Sequence, residues 1–105
     1  MKFTTAFIAH VPDADPEKHR CNLETSLYDF YAILVRNQQE ALDVCKELVE
    51  EKGIHSLILC PGFTHEQIAE ISETVGEDVG VTVARGDGPS SKIAMEAMQE
   101  AGWFS

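Results

Sequence analysis

Four short apolar runs, rich in β-branched and aromatic residues, alternate along this chain with segments whose apolar residues recur at helical spacing. This alternation constrains the fold most, because strands separated by helices return parallel and need cover on both faces of their sheet. The runs are residues 3–9, 28–35, 54–60 and 79–84. Between the second and third, Asn37 and Glu40 form a capping-box pattern with Asn at the cap. Ala41, Leu42, Val44, Cys45, Leu48 and Val49 then make an apolar stripe that Gly53 ends. Thr64 and Gln67 form a second capping box, Phe63 and Ile68 stand at the spacing of a hydrophobic staple, and Ile71 and Val75 continue the buried face up to Gly76. Ile93, Ala94, Ala97, Met98 and Ala101 predict a last amphipathic helix, stopped by Gly102 and followed by the apolar Trp103 and Phe104.

These elements predict a single three-layer α/β domain over residues 1–105, built on a four-stranded, mostly parallel sheet in the flavodoxin-like order 2-1-3-4. The expected core is Phe7, Ile8, Ile33, Val35, Val44, Leu48, Leu57, Ile58, Leu59, Ile68, Ile71, Val81 and Val83. The first crossover, residues 10–26, leaves two outcomes. Asp15 before Pro16 is a cap followed by a first-turn proline, which predicts a helical turn or two over 16–21. Without that helix, the run 28–35 can lie antiparallel at the sheet edge.

At 105 residues the chain is too short for two independent cores. Its 18 acidic against 8 basic side chains give a net charge of −10, which argues against nucleic acid and anionic membrane surfaces as partners. No apolar run reaches the roughly 20 residues that span a bilayer. Residues 1–10, with one basic residue and a Thr pair inside the run, read as a strand and not as a signal peptide. Cys21, Cys45 and Cys60 are odd in number and irregularly spaced, which points to a reducing, cytoplasmic setting.

Two segments carry a resemblance. The stretch from Ala14 through Asp15, Pro16, Glu17, Lys18 and His19 to Arg20, and the loop Leu59-Cys60-Pro61-Gly62-Phe63, supported by Glu24-Thr25 and the acidic helix 40–51, resemble a family of small uncharacterised bacterial and archaeal proteins, a domain of unknown function. The likeness covers about residues 3–85. It implies a compact α/β fold in the cytoplasm and supplies no catalytic residues to carry over.

In open α/β sheets, ligands gather beyond the carboxyl ends of the strands, where strand order reverses. For order 2-1-3-4 that crevice lies between the first and third strands. His10 leaves the first strand there, Cys60, Gly62, Phe63, Thr64 and His65 leave the third, and Arg85 with the 86–91 loop leaves the fourth. A helix start, one Arg and two imidazoles in so acidic a chain predict a small anionic metabolite as ligand. Turn formation and capping explain Pro61 and Thr64 equally well. The alternative is a small enzyme in which Cys60, before a helix N-terminus, or His65 acts as nucleophile or acid/base. Against it, a Cys at a strand end also serves as a small buried hydrophobe. His10, His19, Cys60 and His65 are zinc-compatible donors without a ligand spacing, so no metal is assigned. The segment 86–92 has glycines and donors like a phosphate cradle but lacks a Walker ending, and Asp87 would repel an anion. Arg20 either pairs with Glu24 or faces the crevice.

The small core, the aromatic run Tyr28, Phe30 and Tyr31 at an expected sheet edge, and the apolar C-terminus predict a homodimer or higher homo-oligomer. Its interface is expected at that edge or at the C-terminal aromatics.

Overall fold

The computed structural model describes residues 1–104. It contains one five-stranded sheet and three helices: β1 (Phe3–His10), β2 (Arg20–Glu24), β3 (Tyr28–Val35), α1 (Gln38–Glu47), β4 (Ser56–Leu59), α2 (His65–Val75), β5 (Gly80–Val83) and α3 (Gly88–Glu100). The last turn of α1 widens into a π-helical segment, Leu48–Lys52, closed by Gly53 at φ 59°. The strand order is β2-β3-β1-β4-β5. β1 pairs parallel with β3 and with β4, β4 pairs parallel with β5, and only β2–β3 is antiparallel. The four expected strands therefore lie in the expected order, with β2 added at the edge.

The helix predicted over 16–21 does not form. Asp15 closes a single turn instead: its carboxylate accepts the Glu17 N–H at 3.0 Å, and its carbonyl accepts those of Lys18 and His19. The chain then leaves as β2, where Cys21 and Leu23 alternate with Arg20, Asn22 and Glu24. This strand takes the antiparallel leg of the crossover, so residues 28–35 stay parallel to β1 and lie inside the sheet, not at its edge.

The core lies between the sheet and the α1–α2 pair. Ala6, Ile8, Ile33, Val35, Leu57 and Leu59 point to it from the strands, and Ala41, Val44, Cys45, Leu48, Ile71 and Val75 from the helices. Both caps form as the sequence predicts: Asn37 Oδ1 accepts the Glu40 N–H at 2.9 Å, and Thr64 and Gln67 make a reciprocal capping box.

Among the described residues no second helical layer forms. The crossovers β3–α1–β4 and β4–α2–β5 step the same way across the sheet, which places both helices on one face. The return from β1 to β3 carries β2 where a covering helix was expected. α3 buries no residue; Ile93 is 70% exposed. Its start lies by Pro61, which Gly86 approaches, and its end by Pro12 and Asp13, so it bridges the carboxyl ends of β4 and β1 without packing on the sheet. Two expected core residues change status accordingly: Phe7 and Ile58 are half-buried on the uncovered face. Val83, on the core side opposite Leu59, is exposed near the end of the last strand. Ile68 and Val81 pack at the margin of the core, half-buried.

Candidate binding site

His10 is the last residue of β1, the central strand, and emerges between β3 and β4 where strand order reverses. Its ring stacks on Phe63, with centroids 4.1 Å apart. Its backbone N–H points at Cys60 Sγ, 3.4 Å away. Gly62 lies beside both: a methyl there would stand 3.5 Å from Cys60 Sγ and 3.7 Å from His10 Nδ1. His10, Cys60, Gly62 and Phe63 thus form one cluster, held by the end of β1 and the turn that leads from β4 into α2.

Within it, His10 Nε2 is buried and has no hydrogen-bond partner among the described residues. Burial also pushes the imidazole below its ordinary value of 6.5, against an opposing backbone hydrogen bond with Gly62. Desolvation penalises the charged ring, so the neutral form is favoured. A buried nitrogen without a partner forfeits its hydration, a loss of about 1–3 kcal/mol.

Thr64, His65 and Arg85 stand further out. Thr64 spends its N–H and hydroxyl on the capping box with Gln67, at 2.9 and 3.2 Å. His65 is exposed at the first position of α2. The N–H groups of His65 and Glu66 have no acceptor within the helix, because they belong to its first turn. Arg85 is 85% exposed, and its Nε donates to Asp87 Oδ1 at 2.8 Å. Among the described residues no bond joins Cys60 to His65, and no three His, Cys, Asp or Glu side chains stand together as a metal site would need.

Sequence reasoning missed a cleft of about 300 Å³ between the turn after Asp15 and the outer face of α1. Arg20 lines it. It makes a two-pronged pair with Glu47 at 2.6 and 3.3 Å and donates through Nε to the Pro16 carbonyl at 2.6 Å. Neither sequence reading of Arg20 survives: it meets Glu47, while Glu24 pairs with Lys2. The signal lay in the alternation of residues 20–24, which makes a strand and turns Arg20 towards α1. Within the stretch from Ala14 to Arg20, the His19 ring accepts the Asp15 N–H at 2.8 Å and Ala14 is buried, so both have a structural use.

The model of one protein family, described as a family of unknown function (DUF6506), matches residues 3–99. The match runs past residue 85 and takes in most of α3, beyond the reach of the sequence resemblance. No curated protein and no solved structure matches the chain.

Proposed function

The chain belongs to that family of unknown function, and we propose that it is a cytoplasmic binding module that holds a small anionic metabolite at the carboxyl end of β1. The observation that carries this reading is the unpartnered, buried Nε2 of His10 at the point where strand order reverses. In the neutral ring Nε2 is an acceptor, because the Gly62 backbone accepts the hydrogen bond that the other nitrogen donates; a ligand hydroxyl would donate the missing hydrogen bond, and Phe63 would keep the ring in place. The anionic end would face the free N–H groups at the start of α2, where the helix dipole favours negative charge. Arg85 is available at small cost, because an exposed ion pair such as Arg85–Asp87 contributes only about 0–1 kcal/mol. The rest of a chain at −10 offers an anion few other places. The three free cysteines fit a reducing compartment.

The second reading, a small enzyme using Cys60 or His65, draws on the thiol's place before α2. Its weakness is that Cys60 Sγ meets the His10 N–H and not a base.

A thermal-shift screen of anionic metabolites tests the proposal, since a ligand at a hundred times its Kd adds about 2.7 kcal/mol. The expected result is a stabilising hit that His10→Ala loses and Cys60→Ala keeps. Gly62→Ala would fill the same space at ordinary contact distance and weaken the hit without a loss of fold. A screen without hits, or a hit indifferent to both His10→Ala and Gly62→Ala, would sink the reading. Turnover that disappears with Cys60→Ala would favour the enzyme.

A further inference from the structure

Among the described residues, nothing covers the sheet face opposite α1 and α2. Side chains alternate along strands, so Phe3 and Phe7 of β1, Tyr28 and Phe30 of β3, and Ile58 of β4 point away from the core. The β2 register adds Leu23, opposite Phe30. Phe3 stacks on Tyr28 at 5.7 Å and Tyr28 on Phe30 at 6.2 Å, which makes an aromatic row across two strands. Phe3 is 54% and Leu23 66% exposed. No position on this face carries a charged side chain.

We propose that a second copy of this chain covers this face, the two sheets meeting front to front about a two-fold axis. Three arguments select that occupant. First, β1 and β3 read as nearly continuous apolar runs, the pattern of strands buried on both faces, and neither the β1–β3 connection nor α3 buries the second face. Second, the acidic side chains of α1 and α2 lie on the opposite side of the molecule, so a charged partner finds no counter-charge here. Two copies can approach through these faces without bringing their charges together. Third, the area approaches what a dimer interface needs. Five strands about 4.8 Å apart and up to eight residues long give a footprint of about 400–500 Å² per copy. Two such surfaces lose about 800–1,000 Å² in total, the size of a weak, reversible interface. This surface is neither of the two foreseen from sequence, the edge at residues 28–35 and the C-terminal aromatics.

Size-exclusion chromatography with light scattering, under reductant at tens of micromolar protein, provides the test. The expected mass is about twice the 11.6 kDa of one chain. Leu23→Glu combined with Phe3→Glu should return it to the single-chain mass with an unchanged far-UV spectrum. Ile93→Glu on α3 should leave the dimer intact. The unmodified protein gives an independent readout through Cys21, an exposed thiol that the register places on this face opposite Ala32. Its alkylation should slow at least tenfold as protein concentration rises through the dimerisation range, and this measurement decides if the double variant fails to fold. A single-chain mass at 100 micromolar would overturn the proposal. So would a dimer that survives the double substitution, one that Ile93→Glu abolishes, or a Cys21 reactivity independent of concentration.

Discussion

His10 combines a buried nitrogen without a partner among the described residues with a ring whose charged form burial disfavours. The second has a consequence for stability. Because the folded-state value lies below 6.5, the unfolded chain takes up a proton first as pH falls. The His10 contribution is therefore complete above pH 6.5 and declines as pH drops from there through the folded value. Relative to His10→Phe, which keeps a ring against Phe63 but cannot titrate, the native protein should lose stability between pH 7 and 5. Urea unfolding of both proteins across that range measures the difference and cancels the carboxylates they share; parallel curves would contradict the assignment. The meeting of His10 with Cys60, Gly62 and Phe63 was legible in the sequence, because strand ends and βα turns gather at one end of a parallel sheet. The Arg85–Asp87 pair was one of the pairings the loop's composition allowed, and it engages a side chain expected to meet the anion.

Among the elements, α1, α2, β4 and β5 could be read from caps, stops and apolar spacing. The segment from Asp15 to Glu24 could not, because an Asp-Pro start suits either a helix cap or a closed turn. Only pairing with β3 settles it, and that pairing brings Arg20 to Glu47, 27 residues further along the chain. The stops differ in how strictly they require glycine. Gly76 ends α2 at φ 87° and ψ −179°, a region closed to side chains, although a Cβ there would touch nothing within 4 Å. Gly76→Ala should therefore cost about 1–3 kcal/mol through backbone strain alone. Gly88, equally open in space but without a positive φ, serves as the control, and Gly88→Ala should be near neutral. Urea midpoints of the two variants check this; equal midpoints would contradict it.

At the scale of the whole molecule, one substitution of element type explains where the sequence-based architecture departs from the structure. A strand in place of the first crossover helix leaves the helices α1 and α2 on one side and an uncharged apolar face on the other. The nearly continuous apolar runs of β1 and β4 read as strands buried on both faces, so Phe7 and Ile58 looked like core from sequence and prove half-buried in the single chain. The carboxyl ends of β1 and β4 stay apart from that face, which lets a second copy and a small ligand occupy different surfaces of one chain. The most direct measurement of the ligand claim is a nitrogen-15 NMR titration of the protein with the strongest anionic hit from the metabolite screen. The account predicts that His10 Nε2 shifts first and most, together with the amides of Gly62, His65 and Glu66. Shifts confined to Arg20 and Glu47, or a His10 ring that does not respond to a ligand that binds, would contradict it.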